Sequence, residues 1–409
     1  MDSPPLSVGF VMVHTSPLDV PGTKDAGGMN VVVSAQADAL ARAGHRVHIY
    51  TRRSDESSPE RVELPSGVTV VHLDAGPARL LAKGEHEGVI AEFERALAAE
   101  LASEPTQILH AEHWFSGIAA LEPARAAGIP LVQSYHSIAA APETPLTEGE
   151  RPESPGRLAG ERLLAHEVDL VIAVSEAERH TVLDRFGADP ARVRVVPLGV
   201  DTELFHPVLG GESDEQRDWL EHGGRPEVLV VGRLHPLKGF DLAIEAVAAI
   251  PEDSRPVLRI VGAPPPDGDD HARELHEAVA RHGMIATTAF DGALRRGELA
   301  ERIRRATILL IPSHTETFGL VALEASASGI PVIARDTGGL REAVLNGETG
   351  VLVSGDDPAD WAGAIEKLLA DPELLASMGA KAREHALSTS WESSAEHLLE
   401  AYRALLASR

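Results

Sequence analysis

The chain has 409 residues, 43% hydrophobic and 24% charged, the balance of a soluble globular protein too long for one ordinary core and suited to two domains of about 200 residues each. With 37 Lys and Arg against 63 Asp and Glu, the formal charge is −26; this argues against nucleic acid or an anionic membrane as partner, and any anionic substrate needs a local basic cluster. Cysteine is absent, which excludes disulfides, thiolate metal sites and a cysteine nucleophile.

The first stretch, "MDSPPLSVGF", lacks the basic and apolar regions of a secretory signal. No apolar run approaches the ~20 residues that span a bilayer, so a cytoplasmic location is expected. Strands are predicted at 7–14, 45–51, 106–111, 130–136, 169–175 and 193–199, with amphipathic helices such as 29–43 and 86–102 between them. Residues 141–156, "APETPLTEGERPESPG", are rich in Pro and Glu and read as a mobile surface loop. A second series of strands follows at 227–234, 256–263, 287–292, 307–313 and 331–335. Apolar strands alternating with helices imply parallel sheets covered on both faces. The fold class is therefore α/β, with two Rossmann-like domains at 1–205 and 206–390 joined near "LGVDTELFHP". Residues 391–409 form a final helix without a partner strand, expected to pack across the domain junction.

Ligands of open parallel sheets bind beyond the carboxyl ends of the strands, so two such sheets facing each other place the site in the cleft between them. After the first strand, Gly27 and Gly28 stand just before a helix, where backbone amides can approach a phosphate; a simple turn is the competing reading. After the first strand of the second half, "VGRLHPLKGFD" brings Arg233 and Lys238 to a strand end, a pattern suited to clamping a diphosphate. In "SHTETFGLVALEASASG", Glu316 lies in the loop after a strand, the amides of Phe318, Gly319 and Leu320 begin a helix, and Glu324 lies along it. Glu316 and those amides can hold a sugar or phosphate oxygen, while Glu324 can accept from a ribose diol. "DGDD" at 267–270 reads as capping and loop solvation rather than a metal site. "HAEHW" at 110–114 with His136 could imitate a zinc site, but its histidines lie at separate strand ends and no third ligand is placed. No metal and no cofactor are expected.

The paired domains, together with "GGMN", "VGRLHPLKG" and "ETFGLVALEASASGIPVIARDTGGLREAVLNGETGVLV", strongly resemble the retaining family 4 glycosyltransferases of GT-B fold. The resemblance covers essentially the whole chain. It is strongest toward the subgroup that glycosylates D-inositol 3-phosphate in the mycothiol pathway, through "HTSPLDVPGTKDAGGMNV".

That resemblance implies a nucleotide-sugar donor such as UDP-N-acetylglucosamine and a small polar acceptor such as inositol 3-phosphate. Arg233 and Lys238 would hold the donor diphosphate, Glu316 and residues 318–320 the donor sugar, and Glu324 the ribose. The base would lie near "DGAL", at Leu294. The acceptor would be held by His14, Thr23, Asn30, Lys83, Ser137 and Arg157, with His136 beside the reacting sugar. His136, Arg233, Lys238 and Glu316 are thus the expected catalytic residues. This chain departs from the pattern at His113, where an aromatic phosphate ligand is expected, and at Ser137, where a threonine is. A lysine-asparagine segment after "HSIAA" is also replaced by "APETPLT". The alternatives are a natural-product transferase using a UDP- or GDP-sugar with an aminocyclitol or small-thiol acceptor, a nucleotide-sugar epimerase, and a nucleotide-sugar sensor. Neither nucleic acid nor membrane is an expected partner, and the resemblance leaves room for a homodimer.

Overall fold

The computed structural model describes residues 4–19, 27–208, 224–264 and 270–409. They form two compact units: one of Met1–Thr144, Glu150–Leu198 and Trp391–Arg409, the other of Pro145–Gly149 and Gly199–Ser390.

The first unit is built on strands β1 (Ser7–Met12), β2 (Arg46–Arg52), β3 (Arg61–Glu63), β4 (Thr69–Leu73), β5 (Ile108–Glu112), β6 (Leu131–Ser134), β7 (Leu170–Ala173) and β8 (Val193–Val195). Their order is β3-β4-β2-β1-β5-β6-β7-β8. Every pair is parallel except β3 with β4. All six residues of β1 are buried, which requires cover on both faces. The strand divides its side chains accordingly, Val11 into one apolar layer and Val8, Phe10 and Met12 into the other.

Helices α1 (Gly28–Arg42), α2 (Ile90–Leu101), α3 (His113–Ala127), α4 (Arg157–Glu167) and α5 (Glu176–Phe186) accompany this sheet. The predicted helix at 86–102 is shorter than its pattern: Lys83–Val89 winds as a 3₁₀ segment before α2 begins. Gly84 and Gly88 interrupt that stretch, and glycine disfavours a regular helix. β3 and β4 had no counterpart among the predicted strands.

In the second unit the strands are β9 (Glu227–Val231), β10 (Val257–Val261), β11 (Thr288–Gly292), β12 (Ile308–Ile311), β13 (Val332–Arg335) and β14 (Gly350–Val353), ordered β11-β10-β9-β12-β13-β14 and parallel throughout. Its helices are α6 (Phe240–Ala249), α7 (Asp270–Arg281), α8 (Arg296–Arg305), α9 (Leu320–Ala327), α10 (Leu340–Ala343), α11 (Pro358–Leu369) and α12 (Pro372–Leu387). The last helix, α13 (Trp391–Ala407), buries Ala395, Leu398, Leu399 and Tyr402 in the same apolar layer as Phe10, Leu40 and Ile49. It is thus part of the first unit's core.

The strand order reverses direction beside β1 in the first unit, where β2 and β5 flank it. It does so again beside β9 in the second, between β10 and β12. A crevice opens at such a switch point, beyond the carboxyl ends of the strands. Each unit therefore has one place where its topology favours a ligand, between the ends of β1 and β5 or between the ends of β9 and β12.

Candidate active site

At the second unit's switch point, Lys238 follows β9 and Glu316 follows β12. Their side chains meet, with Nζ 2.6 Å from Oε2 and both groups partly exposed. Lys238 ends a short 3₁₀ turn, Pro236–Lys238, whose start is fixed by His235 Nδ1 accepting from the Leu237 amide at 3.1 Å. Arg233 is exposed on the stretch before that turn.

Two glycine features set the position of Glu316. Gly319, at φ +105°, begins α9 in a left-handed conformation that other residues adopt with strain. Gly339 donates its amide to the Glu316 carbonyl at 3.0 Å, and a Cβ there would collide with the backbone of Thr317 and Phe318. The "TGG" after β13 thus lets one loop lie directly against another. The first-turn amides of α9 have no partner within the helix, so Phe318, Gly319 and Leu320 sit where an anion or hydroxyl oxygen would be accommodated.

Glu324 is on α9 as predicted, but it is buried and already accepts from Arg296 Nη1 at 2.9 Å. Burial raises its pKa, with Arg296 opposing. The Arg296 guanidinium lies 5.0 Å from the centroid of the Phe205 ring, within cation–π range. Arg296 was not among the expected site residues; its partnership with Glu324 depends on two helices meeting and has no local sequence mark. Leu294 is half-buried in the loop between β11 and α8.

In the first unit, the expected acceptor residues fall into two groups. Lys83, Ser137 and Arg157 come together, but around carboxylates. Arg157 is 0% exposed. Its Nε donates to Glu161 Oε1 at 2.8 Å, its Nη1 to Glu153, and its Nη2 to Ser137 O and Oγ at 3.1 and 2.9 Å. Lys83 Nζ is 3.6 Å from Glu150 and 4.0 Å from Glu153. Trp114 Nε1 also donates to Glu153, at 2.7 Å. Burial works against the charge of Arg157, but Glu161 and Glu153 more than offset it, so its pKa is raised. The stretch at 141–156, read as a mobile surface loop, therefore carries two carboxylates into this cluster, and its Ser154 is buried.

His14 and His113 form the second group, their ring centroids 4.5 Å apart. Burial drives both pKa values well below the usual histidine range; Lys83 adds to this at His14, and His14 does so at His113. Among the described residues, His14 Nδ1 and both ring nitrogens of His113 are buried without a hydrogen-bond partner. Such atoms are costly to leave unsatisfied. His86 joins the cluster 6.1 Å from His14 and is pushed down to about 4 by burial.

Asn30, an expected acceptor residue, is engaged with the loop after β1. Its Nδ2 donates to Thr15 Oγ1 and Ser16 O at 2.8 and 2.7 Å, and its Oδ1 accepts from the Gly27 amide at 3.2 Å. Both amide hydrogens are committed, so the residue fastens the loop after β1 to the start of α1. Gly27 caps α1 and Gly28 begins it. Thr23 lies outside the described residues, as do positions 267–269 of "DGDD"; Asp270 opens α7.

His136 follows β6 and pairs through Nε2 with Glu112 Oε2, a buried carboxylate at the end of β5. His113 and His136 have φ of +71° and +59°, the only positive values outside glycine among the described residues. Backbone of this kind is strained and concentrates at functional sites. Glu112 was passed over in favour of the histidines of "HAEHW"; a carboxylate at a strand end beside a neighbouring strand's histidine was the available signal. On α5, Glu178 is buried and its carboxyl is pushed up to about 7 by that burial, opposed by the Val174 amide and His136. Among the described residues no group of three His, Asp or Glu forms a metal-holding set, and no helix is long and apolar enough to cross a membrane.

Residues 26–204 match the family described as Glycosyltransferase Family 4, and residues 212–385 match Glycosyl transferases group 1. The D-inositol 3-phosphate glycosyltransferase of Kineococcus radiotolerans is 40% identical, over 97% of this chain and 94% of that protein. The sucrose-phosphate synthase structure from Thermosynechococcus elongatus superposes with a TM-score of 0.87 at 31% identity, covering 99% of this chain and 100% of that one. Anabaena Alr3699/HepE, solved in complex with UDP-glucose, shares the fold with a TM-score of 0.74 at 20% identity, covering 97% and 99%.

Proposed function

The chain belongs to the family 4 glycosyltransferases of GT-B fold, and from that premise we propose that it moves a sugar from UDP-N-acetylglucosamine, or a similar nucleotide sugar, to a hydroxyl of a small polyol of the inositol type with retention of configuration. The observation that carries this reading is the Lys238–Glu316 pair at the second unit's switch point, beside the N-terminus of α9. A cation, a carboxylate and a set of helix amides match what a nucleotide sugar presents: a diphosphate, sugar hydroxyls and the oxygen on which charge grows.

In this reading Lys238 and Arg233 take the diphosphate, and Glu316 exchanges its bond to Lys238 for a hydroxyl of the donor sugar. Glu324, held by Arg296, accepts from the ribose. The acceptor oxygen forms a bond to the anomeric carbon on the same face from which the diphosphate leaves. The departing phosphate oxygen takes the acceptor's proton, and the two cations stabilise the charge that develops there. Neither a protein nucleophile nor a metal ion enters this scheme. His136 acts beside the reacting sugar, its Nε2 already held by Glu112.

The test is product analysis with UDP-N-acetylglucosamine and cyclitol acceptors. Release of UDP together with an axial glycoside is expected, the anomer being assigned by NMR. Transfer to no acceptor from any UDP-, GDP- or dTDP-sugar overturns the reading. Free UDP accompanied by epimerised sugar replaces it with the epimerase, and an inverted anomer refutes the same-face displacement.

A further inference from the structure

Resting on this glycosyl-transfer reading, we propose that Glu112 is a positioning residue of the reaction, its carboxylate holding the His136 ring in one tautomer and one orientation beside the reacting sugar. Glu112 ends β5, His136 follows β6, and the two strands are parallel neighbours. Glu112 Oε2 pairs with His136 Nε2. An ionised carboxylate only accepts, so Nε2 carries a proton and the neutral ring keeps its lone pair on Nδ1. Any hydrogen bond between this ring and a substrate then runs through Nδ1.

Little about the pair suits a purely structural role. Glu112 is 1% exposed, and its ion-pair partners among the described residues are His136 and His110 rather than Lys or Arg. His110 is already committed. Its Nδ1 is bonded to the Tyr402 hydroxyl at 2.6 Å and its Nε2 to Ser134 Oγ at 2.8 Å, which leaves Nδ1 3.6 Å from Glu112. Burial also lowers the pKa of His110, favouring its neutral form. The carboxylate is thereby left to His136, and its other oxygen, Oε1, is buried without a hydrogen-bond partner among the described residues. A buried carboxylate satisfied on one side only costs stability. A core that needed packing alone would be served as well by an apolar side chain.

The backbone on both sides of the pair supports the same assignment. His136 has φ of +59°, and His113, directly after Glu112, has φ of +71°. Strained backbone of this kind persists where a side chain must be aimed. Rotation about χ2 of histidine is broad and roughly two-fold, so the backbone alone does not decide which edge of the ring faces which way. The bond to Glu112 does. It converts a ring that could present either nitrogen into one that presents Nδ1.

The experiment uses the full chain with UDP-N-acetylglucosamine and the cyclitol acceptor that the unmodified protein glycosylates. Glu112→Gln is nearly isosteric, but its amide can donate to Nε2 and so reverse the tautomer. It should lower kcat by about 10- to 100-fold, the scale of a misplaced catalytic group, while the KM values of donor and acceptor change little. In a His136→Ala background the same substitution should add no further loss, because Glu112 acts through His136. Nitrogen-15 NMR of histidine-labelled protein, with the signal assigned by its loss in His136→Ala, should show His136 protonated at Nε2. Equal losses in both backgrounds, unchanged kcat, or a ring protonated at Nδ1 alone overturns this inference and leaves glycosyl transfer standing. If Glu112→Gln fails to fold, the NMR signal of the unmodified protein still decides. Absence of transfer by the unmodified protein to any cyclitol overturns the glycosyl-transfer reading and this inference with it.

Discussion

Replacing Arg157 with methionine keeps most of the side-chain volume while removing the cation between Glu153 and Glu161. The structure sets the scale of the effect. Arg157 and Glu161 are both fully buried, and four hydrogen bonds leave the guanidinium, to Glu161, Glu153 and two atoms of Ser137. Breaking a buried pair from one side typically costs about 3–5 kcal/mol, because the abandoned carboxylate stays desolvated. Lys83→Ala is the control: its partners at 3.6 and 4.0 Å are partly exposed, so it should cost about 1 kcal/mol or less. The assay is urea unfolding followed by tryptophan fluorescence and far-ultraviolet circular dichroism, with the first transition analysed separately since two units need not unfold together. The pH dependence is a second check. Burial already raises the pKa of Glu161 against the pull of Arg157, and removing the cation raises it further. A carboxyl with a folded-state pKa above its unfolded value favours folding where it is protonated, so the variant's deficit should shrink between pH 7.5 and pH 5. A loss below about 1 kcal/mol at pH 7.5, or one that grows on acidification, refutes the account of this cluster.

Lys238→Ala should lower turnover at saturating donor by about 10²–10³-fold with little change in unfolding midpoint, since the lysine is partly exposed; near-normal turnover removes it from the reaction. Transfer should persist in EDTA, because Arg233, Lys238 and the start of α9 meet the diphosphate charge; abolition by chelation with recovery on adding Mg²⁺ or Mn²⁺ is the contrary result. Glu178, with its carboxyl pushed up to about 7 by burial, contributes stability that is greatest below its unfolded value and is lost as pH rises through 7. Glu178→Gln should therefore gain on the unmodified protein by up to about 3 kcal/mol between pH 5 and pH 8, measured as the difference in unfolding free energies; a constant difference across that range rules this out.

The sequence carried most of the architecture because buried parallel strands are continuous apolar runs, and "EVLVV", "TILLIPS" and "PVIAR" need no context to be recognised. It missed β3, β4 and β14; β3 and β14 are edge strands of three and four residues with almost no periodic signal, and β4 is a buried run of only five. Lys238 and Glu316 were legible since each follows a strand and the topology puts those strand ends side by side. The carboxylates of the first unit were only partly so. Glu153, Arg157 and Glu161 stand four residues apart in turn, a spacing that announces neighbours where the chain is helical. It does not announce that Arg157 is buried, or that Lys83 arrives from a distant segment to meet the same Glu153. That information lies in the approach of α4 to the start of the 3₁₀ segment, where Gly84 lets the Glu153 carbonyl come close enough that a Cβ would collide with it.

The two units treat charge differently, and the difference predicts how each tolerates change. In the second, Lys238 and Glu316 share a partly exposed bond at the mouth of a crevice. Water can replace either partner, so the pair can separate and re-form at small cost. A site that must accept and release a highly charged donor on every cycle benefits from groups that are held in place yet exchange readily. In the first unit the Arg157–Glu161 pair is fully buried and Glu153 is only slightly exposed, while His14 and His113 carry ring nitrogens without a bond among the described residues. Separating the Arg157–Glu161 pair would cost several kcal/mol, because the abandoned charge stays desolvated. Substitutions around Lys238 should accordingly register in turnover while the fold stays intact. Those at Arg157 and Glu161 should register in stability as well.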